Sequence, residues 1–344
     1  MLALPVLLVF LFVADVATGS VSIPFGATLD ILLGRGSTDP TWERIVVDLR
    51  LPQAGTAVMA GAALAVAGLL MQTLFRNPLA DPFVLGISSG ASLGVALVVL
   101  GGGAAASAGV GAIVGSGVAG AVAGVSHVVA AIVGAVLMLL VVVFAARRVS
   151  TLTLLILGVL VGYAASALVS ILLRLAAPEN VQSYVIWTLG EFAGVSWGEA
   201  AILAPALVVG LAMAVIAVKP LNALLLGETY ARSMGVAVER NRLWLIACTA
   251  VLAGAVTAFC GPIGFLGIAV PHLARGVLRT SDHRVLVPGT ALLGAAIALL
   301  ADLLTQLPGG SRTLPLNAIT ALLGAPVVVW IILGRRSLRD AAAG

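Results

Sequence analysis

Ten apolar stretches, each close to the length of a membrane span, recur along the chain and leave only short connections between them. A helix that crosses the hydrocarbon core of a bilayer needs about 20 mostly apolar residues. The stretches lie at 1–18, 51–75, 84–101, 121–146, 152–173, 200–218, 243–260, 262–278, 285–306 and 314–333. Hydrophobic residues make up 61% of the chain and charged residues 9%, which no water-soluble domain of this length shows. We therefore predict an all-α integral membrane protein with about ten transmembrane helices.

The connections are too short to hold a second domain. None exceeds about thirty residues, too few for an independent core. We predict one transmembrane domain over 1–344, with the low-complexity segment 101–117 as an outer loop or a helix extension. The segment 178–199 contains Trp187 and Trp197, and tryptophan is typical of membrane interfaces. A short helix lying at the bilayer surface is predicted there.

Basic residues collect in alternate connections, which indicates how the chain is oriented. With both termini in the cytoplasm, thirteen basic residues fall on the inner side and five on the outer side. The inner set is Arg76, Arg147, Arg148, Lys219, Arg232, Arg240, Arg242, Arg275, Arg279, Arg284, Arg335, Arg336 and Arg339; the outer set is Arg35, Arg44, Arg50, Arg174 and Arg312. Cytoplasmic loops carry the excess of lysine and arginine, so this orientation is favoured, and it requires two spans to meet at Gly261-Pro262. The net charge of +4 has the same origin, and no nucleic-acid partner is predicted.

No motif for catalysis or metal binding is present in the sequence. There is no GxxxxGK[ST] phosphate-binding loop, and the only lysine, Lys219, lies in AVKPLN. The three histidines are far apart, and both cysteines lie in apolar stretches, where a thiol is a small core residue. We predict no catalytic residue, no metal site and no cofactor bound by this chain.

Ionisable residues in or beside the apolar stretches are few. Asp15 and Asp302 lie within spans, and Glu191 and Glu199 lie at the outer interface. Proton and ion pathways are usually built from such groups, so an ion-coupled carrier would be expected to have more of them. We predict that the energy for transport comes from another protein, and we keep an ion-coupled secondary carrier as the alternative.

Four segments, at 47–91, 224–236, 261–289 and 314–333, resemble the FecCD-type permeases in order along the chain. These permeases are the membrane subunits of type II ABC importers for iron-siderophores, haem and vitamin B12. The resemblance implies a type II importer permease in the cytoplasmic (inner) membrane, surrounded by lipid and paired with a second copy of itself. It also implies two cytoplasmic ATPase subunits that bind ATP and Mg²⁺, and a periplasmic or lipid-anchored substrate-binding protein.

The longest inner connection, 219–242, is implied by the resemblance to couple the permease to its ATPase. Glu228 and Arg232 are four residues apart, on one face of a helix. A free loop would not need the apolar residues found beside them, Leu224, Leu225, Leu226 and Met234. The residues that match the coupling motif are Leu226, Gly227, Glu228, Ala231, Arg232 and Gly235. A helix lying on lipid headgroups is the alternative interpretation.

The connection RNPLADP, 76–82, separates two apolar stretches with two prolines, which end a helix and prevent a fused span. By resemblance, Asn77 and Leu79 lie near the inner gate of the translocation path, together with Ser150 and Thr151 from a later connection. An ordinary loop with turn residues is the alternative interpretation for each of them.

The resemblance also places residues along the path and on the outer face. Small and weakly polar residues of the fifth span, Gly158, Gly162, Ser166 and Ser170, are predicted to line the path, with Arg174 at its mouth. Arg44, Arg50 and Arg312 are the candidates for docking the binding protein. The sequence departs from the family pattern at Gln53, Gln306 and Thr313, where arginine, arginine and glutamate are usual.

The function implied is ATP-driven import of a metal chelate by alternating access. Ferric siderophores and haem are ranked above vitamin B12 only because they are the commoner substrates of the family, and a vitamin B12 (cobalamin) permease is the alternative. The residues themselves do not identify the chelate.

Overall fold

The computed structural model describes residues 3–37, 39–101, 126–307 and 313–342, and the regular elements within those ranges are all helical. The helices are α1 (Ala3–Ala17), α2 (Phe25–Leu32), α3 (Pro40–Leu74), α4 (Ile87–Val99), α5 (Ser126–Ala146), α6 (Thr151–Leu175), α7 (Pro178–Leu189), α8 (Trp197–Ile216), α9 (Val218–Leu224), α10 (Glu228–Ser233), α11 (Val238–Cys260), α12 (Leu266–Leu278), α13 (His283–Gln306) and α14 (Leu316–Ala342). A 3-10 turn, Pro82–Leu85, precedes α4. The predicted all-α class is confirmed, while most of the segment 101–117 lies outside the described residues.

Ten apolar helices account for the ten predicted spans. Within the described ranges, six are long and apolar enough to cross a membrane: α3, α5, α6, α8, α11 and α13. Four shorter apolar helices are α1, α4, α12 and the first part of α14. The predicted division at Gly261 is confirmed, because this residue, at φ +75°, separates α11 from α12. The predicted short helix within 178–199 is α7.

Helix α3 begins well before the predicted limit at residue 51. The Asp39 side chain accepts a hydrogen bond from the Thr41 backbone N–H (2.8 Å) and caps the start of the helix. A π-helical turn at Ile45–Arg50 then leads into Pro52, whose nitrogen has no hydrogen to donate. The π turn already changes the hydrogen-bond register at this point, so the proline lies inside a continuous helix and does not start one.

The bundle has two ends that differ in charge. At the basic end, Arg242 at the start of α11 donates to the Val149 carbonyl after α5 (3.2 Å). At the opposite end, Trp197 at the start of α8 donates its ring N–H to the Val47 carbonyl (2.8 Å). The described residues that make the basic end positive are Arg76, Arg147, Arg148, Lys219, Arg232, Arg240, Arg242, Arg275, Arg279 and Arg284.

Helix α3 lies at the centre of the bundle, held by close contacts between glycines. A Cβ added at Gly61 would overlap the Gly294 carbonyl oxygen of α13, and one added at Gly68 would overlap the Gly267 carbonyl oxygen of α12. Helices in a bilayer associate through such close van der Waals packing of small residues. Helix α3 is therefore fixed against α12 and α13 along its length.

This packing predicts that Gly68→Ala lowers the free energy of unfolding by about 1–3 kcal/mol, the usual cost of overfilling a packed interior. Gly55→Ala in the same helix is the matched control, since a Cβ there would have no neighbour within 4 Å. Thermal unfolding of the two purified variants in detergent measures the difference. Equal unfolding temperatures would contradict the contact between α3 and α12.

Candidate functional site

Two short helices at the basic end, α9 and α10, are joined by a sharp corner in the segment 218–235. They meet at Gly227, which is buried and has φ +104°. Gly235, at φ +83°, follows α10 and lets the chain turn toward α11. Only glycine adopts such backbone angles without strain, so LGE and MGV in the sequence specify these two turns.

One side of the 218–235 segment presents an apolar patch to solvent. The patch consists of Leu225, Leu226, Tyr230 and Met234, whose exposed fractions are 40%, 61%, 55% and 57%. Leu224, predicted to belong to this surface, is buried and packs into the core instead, as does Ala231 of the coupling motif. Contiguous exposed apolar side chains rimmed by charges mark interaction sites. The apolar patch therefore has the composition expected of a docking surface.

The charged residues of α10 hold the segment together locally. The Arg232 guanidinium lies 2.7 Å from the Glu239 carboxylate and 4.0 Å from that of Glu228. These groups are exposed, and an exposed ion pair contributes only about 0–1 kcal/mol. Arg232 and Glu239 therefore orient α10 against the start of α11 more than they stabilise the fold, while Glu228 pairs with Arg232 within α10.

The predicted gate connection lies beside this corner. The Arg76 guanidinium approaches Gly227, with its Nη1 3.6 Å from the position a Cβ would take there. Asn77 accepts a hydrogen bond on its side-chain oxygen from the Leu79 backbone N–H (3.0 Å). Asp81 accepts one from Phe83 N–H (2.8 Å), and burial raises the pKa of this carboxyl to about 6. The connection is thus a turn held by side-chain hydrogen bonds, and it contacts the 218–235 segment.

The other pair of predicted gate residues lies at the start of α6. Ser150 caps the helix, because its hydroxyl oxygen accepts a hydrogen bond from the Thr153 backbone N–H (3.2 Å). Thr151 is the first residue of the helix. The Ser150 hydroxyl bonds within α6 and not to Asn77 or Leu79 in the described part of the chain, so the joint role of these residues as a gate stays a prediction.

Helix α6 holds the predicted path residues, and the structure separates them. Gly158 is buried against Val84 and Leu85, where any side chain would collide with backbone. Gly158 therefore packs closely against the 3-10 turn, and the prediction that it lines the path is wrong.

The other predicted path residues share one stripe of α6. Gly162 is half-buried, and its Cβ position lies 3.2 Å from the Ser89 hydroxyl oxygen. Ser166, Ser170 and Arg174 follow at intervals of four residues and are exposed. Residues at this spacing lie on one face of a helix. A lining role is therefore open to them.

The structure corrects the prediction for Arg50. Its side chain is 8% exposed and donates to the carbonyls of Val16 (3.1 Å), Ala17 (3.1 Å) and Val21. A cation at the last carbonyls of a helix is favoured by both hydrogen bonding and the helix dipole. Arg50 therefore caps the end of α1 and is not available for docking. Arg44 is exposed, and Arg312 lies outside the described residues.

The two glutamines that replace the usual arginines serve an internal cluster at the opposite end. Gln53 donates to the Asp302 carboxylate (2.8 Å). Gln306 lies 3.4 Å from carboxylate oxygens of both Asp15 and Asp302. Exposed Thr313 lines a pocket with Gln53 and Asp302. At positions 53 and 306, a neutral hydrogen-bond donor therefore stands beside two buried acids, Asp15 and Asp302, where the family usually has arginine.

Metal-binding groups are scattered. Within the described residues, no three His, Cys, Asp or Glu side chains lie together where they could hold a metal ion. Cys248 and Cys260 are free thiols buried in α11, as expected of core residues.

Comparisons with known proteins agree with this architecture. A family model described as the FecCD transport family matches residues 7–334. The vitamin B12 import system permease protein BtuC of Escherichia coli O9:H4 (strain HS) is 36% identical over 298 residues, covering 86% of each chain. That of Shigella sonnei (strain Ss046) is 36% identical over 295 residues, covering 86% of this chain and 85% of the relative.

Solved structures share the fold. An ABC transporter assigned to the metal-chelate type, in an inward-facing conformation, superposes with a TM-score of 0.81 at 27% identity, covering 97% of this chain and 98% of that one. PsaBC from Streptococcus pneumoniae in complex with Fab superposes with a TM-score of 0.52 at 16% identity, covering 88% of this chain and 94% of that chain. The second similarity concerns the fold alone.

Proposed function

This chain belongs to the FecCD transport family, and on that premise we propose that it imports a metal chelate across the cytoplasmic membrane by alternating access. A permease of this family is the membrane subunit of an ABC importer. It is not itself catalytic, and ATP is hydrolysed by a separate subunit. The proposal concerns the cargo, the assembly and the residues that carry the mechanism.

The observation that carries the proposal is the apolar patch at the basic end. Leu226, Tyr230 and Met234 are exposed among charged residues, outside the helices that cross the membrane. Large apolar side chains in such a place are typical of a surface that another protein covers. We propose that the basic end is cytoplasmic, in keeping with its excess of arginine, and that each of two ATPase subunits receives one such patch.

The exposed side of α6 supports a dimeric arrangement. Leu152, Ile156, Leu160 and Tyr163 are all at least half exposed in the single chain, and Ser166, Ser170 and Arg174 continue that side toward the opposite end. Two copies facing each other would enclose a passage with small polar groups, which suits a bulky amphipathic cargo. We propose that a substrate-binding protein delivers the cargo at the opposite end, where Arg44 is the exposed basic residue among the described candidates.

Three classes of chelate are candidates for the cargo: cobalamin, haem and ferric siderophores. The vitamin B12 permeases among the relatives favour cobalamin, while the metal-chelate type structural neighbour supports the wider class. Specificity in such a system is set jointly with the binding protein, so sequence identity of 36% is compatible with each class.

Reconstitution in liposomes tests the function directly. The purified permease with its ATPase and binding protein is expected to accumulate one of cyanocobalamin, haem or a ferric siderophore only when ATP is supplied to the ATPase side. Uptake by the permease alone, driven by a proton or sodium gradient, would instead establish the ion-coupled carrier. The absence of ATP-dependent uptake for all three chelates would contradict the proposed cargo class.

A further inference from the structure

A chain of hydrogen bonds, half-buried at Asn222 and buried at Thr73, joins the 218–235 segment to the end of α3. The first member is Asn222 in α9, whose side-chain oxygen accepts hydrogen bonds from the His283 backbone N–H (2.9 Å) and from His283 Nδ1 (2.8 Å). Its side-chain N–H donates to the Asp282 carboxylate (2.6 Å). Because a carboxylate cannot donate, this last contact fixes which end of the Asn222 amide faces the histidine.

The second member is His283, the first residue of α13, which is fully buried. With its Nδ1 donating to Asn222, its Nε2 lies 2.9 Å from the Thr73 hydroxyl oxygen in the last turn of α3. In the neutral ring, Nε2 accepts a hydrogen bond from that hydroxyl, whose oxygen also lies 2.9 Å from the Leu69 carbonyl oxygen. One imidazole therefore bridges α9 and α3, and both of its nitrogens are occupied.

A parallel set of contacts fixes the same turn of α3 to α12. The buried Gln72 side chain donates to the carbonyls of Gly267 (3.3 Å) and Ile268 (3.0 Å). Its side-chain oxygen accepts from the Arg275 guanidinium (2.6 Å). Hydrogen bonds to a charged donor are stronger than neutral ones. The end of α3 is thus held from one side through Thr73 and from the other through Gln72.

This turn of α3 leads directly into the connection 76–82. Asn77 is four residues beyond Thr73, and its backbone N–H still donates to the Gln72 carbonyl (3.1 Å). Arg76 between them approaches Gly227. The 218–235 segment is therefore joined to the connection by two routes, one at Arg76 and one through His283 and Thr73.

We propose that Asn222, His283 and Thr73 are positioning residues that transmit movement of the 218–235 segment to α3 and hence to the connection 76–82. The proposal rests on the proposed function, in which an ATPase moves that segment. Buried polar contacts can carry such coupling because breaking one leaves its partner unsatisfied, so the two elements move together.

The test is Thr73→Val, which keeps the shape of the side chain and removes the hydroxyl, measured in the full complex reconstituted in liposomes. We expect the ATPase to remain bound and to hydrolyse ATP, while the amount of cyanocobalamin, haem or ferric siderophore imported per ATP falls about 5-fold or more. Thr73→Ser restores a hydroxyl and should recover most of the wild-type ratio.

Thr56→Val is the matched control. Thr56 lies in the same helix, is fully buried, and its hydroxyl has no hydrogen-bond partner among the described residues. Its replacement is expected to leave the ratio unchanged. Asn222→Ala tests the other end of the chain of contacts, and the double variant with Thr73→Val should lose no more than the worse single variant, since both break one link.

Two results would overturn the proposed link from the 218–235 segment to α3 through Asn222, His283 and Thr73. The first is a wild-type ratio of import to hydrolysis in both Thr73→Val and Asn222→Ala. The second is an equal loss in Thr73→Ser and Thr73→Val, which would mean that the hydroxyl is not involved. Failure of the proposed function is distinguishable, because it would appear as an absence of ATP-dependent import in the wild-type complex, and it would overturn the link as well.

Discussion

Arg50→Ala is expected to destabilise the isolated permease by about 1–3 kcal/mol, the usual cost of leaving buried hydrogen-bonding groups without a partner. The guanidinium is the hydrogen-bond donor for the carbonyls of Val16, Ala17 and Val21. Without it, these three acceptors at the end of α1 lose their donor. Thermal unfolding of the purified chain in detergent, with no partner present, measures this loss.

Two further variants separate this structural role from docking. Arg44→Ala, on the exposed part of the same helix, should change the free energy of unfolding by no more than about 0.5 kcal/mol. Arg50→Lys, which keeps one charged donor at the same position, should recover part of the stability. If Arg50→Ala unfolds like the wild type and only fails to bind the substrate-binding protein, then Arg50 acts in docking and not as a cap on α1.

Leu226→Asp combined with Met234→Asp is expected to reduce association with the ATPase by about 100-fold or more, since central apolar anchors contribute about 2 kcal/mol or more each at an interface. Both side chains are exposed, so the substitutions cost little in folding. Co-purification of the ATPase with the permease, and ATP-dependent uptake in liposomes, are both expected to be lost.

Ser281→Asp is the control for the apolar patch. Ser281 is exposed in the connection between α12 and α13 at the same end, and the substitution adds one negative charge outside the patch. Its ATPase association should match that of the wild type. Normal association of the double aspartate variant, measured at equal folded concentration, would show that the ATPase binds elsewhere.

The spans were predictable because a bilayer imposes one length on every crossing helix. The distribution of basic residues between the two sides predicted the break at Gly261, where positive φ and a following proline separate α11 from α12. The start of α3 was not predictable, because Pro52 normally begins a helix and nothing in the sequence indicates the π turn before it. Hydrophobic periodicity predicts a helix, but it does not predict a change from α-helical to π-helical hydrogen bonds within that helix.

The candidate site was predicted less completely, because its residues are distant in sequence. The coupling motif indicated α10, but Tyr230 of the apolar patch was missed and Leu224 was wrongly placed on the surface. Gly158 looked like a path residue because small side chains suit both a passage and a close helix contact. Gln72 and Thr73, polar residues ending an apolar helix, were the one available signal for the link to His283, and their partners lie about 200 positions away.

The cap that Arg50 places on α1 also has a consequence for synthesis. Arg50 lies 33 positions after Ala17 (50 − 17), so a ribosome adding about 5–20 residues per second needs roughly two to seven seconds to supply it. During that interval the last carbonyls of α1 lack the donor that Arg50 supplies in the finished fold. The first span is therefore expected to wait at the translocon and to pass into the lipid together with the second, as a pair.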